Sequence, residues 1–333
     1  MKLILKLSGE HPELPKEEIK AVFESENLTW KIIKMLEKER LLIVDVDIKD
    51  ARIKEIINRF SMVKYAGKFL GIYDKNSFHD SLHEIALEIS KELKKNESFA
   101  IRSKSQSLAE KLGAAIFQLG FKVDLKNPSK EINVFITEKY FIVGVNLHLR
   151  RDFNKRLPKV RPFFHPTAMH PKLAKLLVNL SRAKKGDKLL DPFCGTGSIL
   201  IEAAIMGIEC YGFDISARMI SGCKENLKFY GIDAKLFVKD SLNIEEPRFR
   251  KFFDAIVTDA PYGRSSRLPY GNIEKFCHRF LEVASGLLKD NRYLVMVMPK
   301  KVEISNKKFK IVNRYSLYVH KSLTREIYVL KLN

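Results

Sequence analysis

The stretch Lys188-Leu189-Leu190-Asp191-Pro192-Phe193-Cys194-Gly195-Thr196-Gly197-Ser198-Ile199-Leu200-Ile201-Glu202-Ala203-Ala204 constrains the fold more than any other part of the chain. A short apolar run, a glycine turn and an amphipathic continuation read as strand, tight turn and helix, the opening of an α/β nucleotide-binding unit. Gly195 and Gly197 let the backbone approach a ligand closely, and the N–H groups exposed at the helix start favour a carboxylate or phosphate. Two details argue against a dinucleotide. The third glycine of G-x-G-x-x-G falls at Leu200, and Asp191 opens the pattern, where it repels a pyrophosphate but suits a cationic amine.

Further along, the apolar stretch 208–213 ends at Asp214, placed to receive ribose hydroxyls. The next strand, 234–238, ends near Asp240, placed to accept from an adenine amine. Taken singly, each aspartate reads as a solvated turn or a helix cap. Jointly, three successive strands ending in acidic residues outline an adenosine-type ligand at the carboxyl edge of a parallel sheet. A further apolar strand, Phe253-Asp254-Ala255-Ile256-Val257-Thr258, runs into Asp259-Ala260-Pro261-Tyr262-Gly263. There a carboxylate and a carbonyl in a proline-fixed turn can accept two hydrogen bonds from one NH2 group, and Tyr262 can stack on the ring that carries it. Asp-x-Pro at a strand end is also ordinary turn chemistry, so its weight comes from standing in series with the upstream motif.

The series 191–197, Asp214, Asp240 and 259–262 resembles the motif set of class I S-adenosylmethionine-dependent methyltransferases, in the branch that modifies exocyclic amino groups. The segment Arg161-Pro162-Phe163-Phe164-His165-Pro166-Thr167-Ala168-Met169-His170-Pro171-Lys172-Leu173-Ala174 is similar to the one preceding the first core strand in RNA guanine-N2 methyltransferases. Residues 99–103, 132–136 and 141–147 resemble parts of a THUMP domain, a tRNA-binding module. Together these stretches are similar to the archaeal family of tRNA guanosine-10 N2-methyltransferases, which makes N2-methyl- and N2,N2-dimethylguanosine. Ala260 departs from that family's usual Pro. Its backbone carbonyl is the expected acceptor, so the change is compatible.

The resemblance implies an α/β fold with a doubly wound, mostly parallel, seven-stranded Rossmann-like methyltransferase sheet, preceded by α+β ferredoxin-like and THUMP regions. The implied domains are ferredoxin-like (1–75), THUMP (76–149), a basic Pro-containing linker (150–165) and the methyltransferase (166–333). S-adenosylmethionine is expected against Pro166, Thr167, Ala168, Asp191, Phe193, Gly195, Thr196, Gly197, Asp214, Asp240 and Asp259. Catalysis is expected from Asp259, Ala260, Pro261 and Tyr262. The segment 263–271 reads either as a flap carrying Arg264 or Arg267 to substrate phosphates or as a solvated crossover loop. Residues 161–333 alone are expected to keep cofactor affinity and lose most tRNA affinity.

A formal charge of +20 and a pI near 9.6 call for a polyanionic partner, here tRNA. The charge is uneven: residues 1–50 carry a net −2 and residues 101–200 a net +12. Phosphate contact is expected from Arg150, Arg151, Lys155, Arg156, Lys159 and Arg161. For the cluster Lys300, Lys301, Lys307, Lys308 and Lys310, phosphate contact and a plain solvated surface stand even.

The four cysteines show neither a C-x-x-C pair nor a histidine at zinc spacing, so no metal site is expected. His165 and His170, bracketed by proline, read as structural hydrogen-bonding groups. The opening apolar run is too short for a signal peptide or membrane span, giving a cytoplasmic expectation, with the chain as a monomer. Two rivals stay open. One is an amino methyltransferase acting on another guanosine in tRNA or rRNA, or on DNA adenine or cytosine; the other is an RNA-binding chaperone with a vestigial cofactor site.

Overall fold

The computed structural model describes residues 1–76, 80–244, 246–261, 272–299, 302, 304, 306–320 and 323–333. In chain order its elements are β1 (Lys2–Leu7), α1 (Leu14–Ser25), β2 (Trp30–Leu36), β3 (Leu41–Val46), α2 (Asp50–Ile57), β4 (Val63–Asp74), α3 (Leu82–Ser90), β5 (Ser98–Ser103), α4 (Gln106–Gln118), β6 (Lys122–Val123), β7 (Lys130–Ile136) and β8 (Tyr140–Asn146). There follow α5 (Pro171–Leu180), β9 (Lys188–Asp191), α6 (Ser198–Ile205), β10 (Glu209–Asp214), α7 (Ala217–Phe229), β11 (Lys235–Val238), β12 (Phe253–Asp259), α8 (Ile273–Leu287), β13 (Leu288–Pro299), β14 (Phe309–His320) and β15 (Leu323–Leu332). Two compact units result. The first comprises Met1–Glu10, Leu28–Asn58 and Val63–Arg150; the second comprises His11–Asn27, Arg59–Met62 and Arg151–Asn333.

The first unit is built on one eight-stranded sheet in the order β2-β3-β1-β4-β8-β7-β5-β6. Antiparallel pairing of β4 with β8 joins the strands of segment 1–75 to those of 76–149, so both segments share a sheet. Helix α4 connects β5 to β6, which runs parallel to it, and Ser105 starts that helix by accepting at Oγ from the Leu108 N–H at 3.3 Å. Helices α3 and α4 bury Ile85, Ile89, Leu112 and Ile116 in one core with Phe99, Ile132 and Val143. Strand β2 escapes a reading by periodicity. It is an edge strand with a register shift between Ile32 and Lys34, and Ile32 and Ile33 are 53% and 43% exposed, so the usual two-residue alternation is broken.

In the second unit seven strands lie in the order β11-β10-β9-β12-β13-β15-β14. Neighbours from β11 to β13 pair parallel, whereas β15 runs antiparallel to both β13 and β14. This is the doubly wound, mostly parallel, seven-stranded sheet that the resemblance implied, closed by the antiparallel β14–β15 hairpin. The chain leaves β9 in one direction to β10 and β11 and later returns to its other side at β12, which opens a crevice at the carboxyl ends of these strands.

Helix α1 belongs to this second unit. Its Leu14 and Ala21 share a core with Met62 and with Ala174, Leu177 and Val178 of α5. Glu18, fully buried, accepts from the Ser61 N–H (2.8 Å) and hydroxyl (2.6 Å), the Met62 N–H (2.7 Å) and Asn179 Nδ2 (2.8 Å). Arg59 donates to Glu26 at 2.7 Å and to the Ala183 carbonyl at 2.6 Å. A carboxylate without water is tolerable only when its lone pairs are filled this way, so the network fixes α1 on α5.

The basic run 150–161 departs from expectation. Arg156 and Arg161 are buried, at 6% and 4% exposure, and are not phosphate-facing. Arg156 grips Glu202 of α6 with Nε to Oε1 at 2.7 Å and Nη2 to Oε2 at 3.2 Å, while Arg161 donates to the Ser198 hydroxyl at 2.7 Å and to the Arg156 carbonyl. Glu202 is 1% exposed, and a buried carboxylate in an apolar helix demands such a partner. Arg150, Arg151, Lys155 and Lys159 remain exposed. Among the described residues no helix is long and apolar enough to cross a membrane, and no group of three or more His, Cys, Asp or Glu could hold a metal ion.

Candidate active site

The carboxyl ends of the parallel strands open onto a cavity of about 800 Å³. Its wall includes Asp191, Phe193, Gly195, Thr196, Asp214, Asp240, Asp259, Ala260 and Pro261, together with Pro166, Thr167 and Ala168 from the segment before α5. Gly197 stands behind that wall as the residue capping α6. Tyr262, the segment 263–271 with Arg264 and Arg267, and Lys300 and Lys301 lie outside the described residues.

Local chemistry shapes the cradle. Gly195 and Gly197 take φ of +49° and +85°, and a Cβ on Gly197 would meet Cys223 Sγ at 2.7 Å, so both backbone conformation and space require glycine there. Asp214 ties this turn to the end of β10: its Oδ2 accepts from the Gly195 N–H at 3.0 Å and its Oδ1 from the Ser216 N–H at 2.9 Å. Each oxygen keeps a second lone pair for a ribose hydroxyl. Asp240 is set by the Leu242 N–H at 3.0 Å and by Asn243 Nδ2 at 2.6 Å. His170 accepts at Nδ1 from the Lys172 N–H at 3.2 Å as the cap of α5, the structural role read from sequence. The other histidine of that segment, His165, lies on the cavity wall with Nδ1 2.7 Å from Thr167 Oγ1.

Several wall residues were not found by motif reading. Ile215 is 73% exposed directly after Asp214 and presents an apolar face to the cavity; Leu242 and Arg218 join it on the wall. The position after a strand-ending acid was the available signal for Ile215. Arg325 of β15 places Nη1 3.1 Å from Asp259 Oδ2, across 66 residues of sequence, and no local signal marks it.

Four aspartates gather on this wall beside Arg218, Lys239 and Arg325. Asp191 is 2% exposed and accepts at Oδ1 from the Thr258 hydroxyl (2.9 Å) and the Phe193 N–H (3.2 Å). Burial pushes its carboxyl up to about 7 against the pull of these two bonds, and the charges of Asp214 and Asp259 add to the rise. Burial likewise lifts Asp259 to about 6 although Arg325 holds it down. Its Oδ1 is sealed from solvent and has no hydrogen-bond partner among the described residues.

Crowded, partly desolvated carboxylates stabilise a cationic ligand, and the glycine turn admits its backbone-like end. These features fit S-adenosylmethionine. Bound there, that cofactor supplies an electrophilic methyl group on a positively charged sulfur. Since Asp191 must be ionised to favour the cation, affinity for S-adenosylmethionine is expected to fall as pH drops below about 7, by up to about tenfold per unit. S-adenosylhomocysteine, which lacks the sulfonium charge, should lose less. Calorimetric titrations of both ligands from pH 5.5 to 8 check this. Parallel pH dependences, or an Asp191→Asn variant with the wild-type profile, would contradict it.

The strand order and this site define a Rossmann-like, S-adenosylmethionine-dependent methyltransferase. A family model described as an RMKL-like methyltransferase domain matches residues 158–327, and a DNA methylase model matches residues 24–225, stopping short of Asp259. The chain is 36% identical to the tRNA (guanine(10)-N2)-dimethyltransferase of Methanothermobacter thermautotrophicus, with 99% of each chain covered. It is 33% identical to the tRNA (guanine(10)-N2)-dimethyltransferase of Pyrococcus abyssi, with 98% of each covered. Among solved structures, TrmN from Thermus thermophilus superposes with a TM-score of 0.56 at 20% identity over 100% of both chains, a likeness of fold. The chain belongs to the tRNA (guanine(10)-N2)-dimethyltransferase family.

Proposed function

We propose that this protein transfers a methyl group from S-adenosylmethionine to the exocyclic N2 of guanosine 10 in tRNA, and then a second methyl to the same nitrogen. The observation that carries the chemistry is the sealed, unpartnered Oδ1 of Asp259 on the cavity wall beside Ala260 and Pro261. A buried acceptor lacking a donor costs free energy until one arrives, and an NH2 group is a donor of the right kind. The position on tRNA and the double transfer are carried over from the names of the full-length relatives.

The N2 of guanine is a poor nucleophile because its lone pair is delocalised into the ring. Asp259 Oδ1 and the Ala260 carbonyl would each accept one N–H, favouring a pyramidal nitrogen whose lone pair faces the methyl donor. Pro261 contributes no N–H of its own and stiffens the turn that presents that carbonyl. After transfer the nitrogen must shed a proton, and Asp259, poised near 6, is placed to take it. The base must leave its stack to reach the cavity, and Tyr262 is our candidate to receive its face. Positioning and a prepared charge environment then supply most of the acceleration.

Within this reading, residues 1–75 are the ferredoxin-like region, although its segments His11–Asn27 and Arg59–Met62 fall in the second unit, 76–149 are the THUMP region and 150–165 the linker. The exposed Arg150, Arg151, Lys155 and Lys159 are the linker's candidates for phosphate contact. On this proposal the protein acts as a monomer in the cytoplasm, where its tRNA substrate is found. Nucleoside mass spectrometry of an unmodified tRNA transcript, incubated with protein and S-adenosylmethionine, tests the proposal. N2-methylguanosine should appear first, then N2,N2-dimethylguanosine, both mapping to position 10. Methylated adenosine or cytidine, or no product, would overturn it.

A further inference from the structure

Asp259 poses a geometric problem that the acceptor role does not solve. The terminal torsion of an aspartate is broad and nearly two-fold, so the carboxylate plane must be fixed by something outside the residue if one oxygen is to meet an incoming N–H. Among the described residues the hydrogen bond that does this comes from Arg325, whose Nη1 lies 3.1 Å from Oδ2 and leaves Oδ1 without a hydrogen bond. Both side chains are largely buried, at 21% and 22% exposure, and both line the same cavity.

Topology explains how a residue so distant in sequence arrives there. Because β15 runs antiparallel to β13, its beginning lies at the carboxyl edge of the parallel strands: Arg325 registers with Pro299, and Asp259 with Val297. The guanidinium reaches past the end of β13, which carries no titratable side chain from Val297 to Pro299, to the end of β12. Among the described residues Asp191 from β9 also couples to Asp259, and Asp214 at the end of β10 couples to Asp191.

Building on the methyl-transfer reading, we propose that Arg325 is a positioning residue: by holding Oδ2 of Asp259 it sets the carboxylate plane and directs Oδ1 at the acceptor amine. It does not touch the reacting atoms. Its positive charge also keeps Asp259 ionised to lower pH than burial alone would allow.

Two readouts separate this role from a plain structural ion pair. In single-turnover assays on tRNA at pH 7.5, Arg325→Gln should slow methyl transfer by about 10- to 100-fold. Affinities for tRNA and S-adenosylmethionine should stay within about twofold, and the acidic limb of the pH–rate profile should move to higher pH. Arg325→Lys, which restores charge without the planar fork, should recover the limb and part of the rate. Independently of activity, carbon-13 NMR of the Asp259 carboxyl, assigned with Asp259→Asn, should titrate at higher pH in Arg325→Gln.

An unchanged rate and profile would overturn the proposal, as would a defect confined to tRNA affinity, which would make Arg325 a phosphate contact. A slower rate with both titrations unmoved would reduce it to a fold contact. Should the wild type transfer no methyl to guanosine while the NMR shift still appears, the substrate reading fails and the Arg325–Asp259 coupling stands.

Discussion

Replacing Asp259 with alanine is expected to cut methyl transfer to tRNA by about 10²- to 10⁴-fold while leaving S-adenosylmethionine affinity within a few fold. On the proposed mechanism the acceptor for the amine and the base for its departing proton are lost together, whereas Asp191, Asp214, Asp240 and the glycine turn remain on the cavity wall for the cofactor. The Arg325 guanidinium would face the cavity without this carboxylate, so some loss of melting temperature should accompany the change. Asp259→Asn separates these effects. It preserves shape and one acceptor oxygen but removes charge and basicity, and should sit between alanine and wild type. Single-turnover rates beside calorimetric cofactor titration make the comparison; turnover near wild type in the alanine variant would remove Asp259 from the chemistry.

A fragment of residues 161–333 is expected not to fold stably, contrary to what the motif boundaries alone imply. It lacks α1 and the segment Arg59–Met62, both part of the second unit. Glu202, 1% exposed, would lose Arg156, and breaking a buried pair costs about 3–5 kcal/mol. Leu14, fully buried, contributes about 1.5–3 kcal/mol more, and Asn179 would lose its bond to Glu18. Together these losses rival the roughly 5–15 kcal/mol that holds a domain folded. Thermal melting and cofactor binding of the fragment check this, with Glu18→Ala in the full chain as a milder version. A cooperative transition near that of the full chain would show that α1 is dispensable.

Much of the site is legible because its residues sit at fixed places in local patterns. A strand that ends in aspartate, a glycine turn before a helix and a proline after an acid each declare themselves within a few residues. Local pattern fails where a side chain's role depends on what covers it. Arg156 and Arg161 carry the same charge as Arg151 and Lys155, and only the buried Glu202 and Ser198 make them internal ties. Strand β2 carries no alternating pattern because an edge with a register shift has no buried face to impose one.

By itself, the sequence determined the order of strands and helices in the second unit, the glycine conformations and the row of acids at the strand ends, because these follow from backbone sterics and periodicity over short spans. Tertiary structure alone decided that α1 serves the second unit and that Arg325 meets Asp259. The first depends on Glu18 finding Ser61 and Asn179, the second on an antiparallel strand delivering a cation to the carboxyl edge. Contacts between residues tens of positions apart leave no trace in local spacing; they exist once the sheet has set its order.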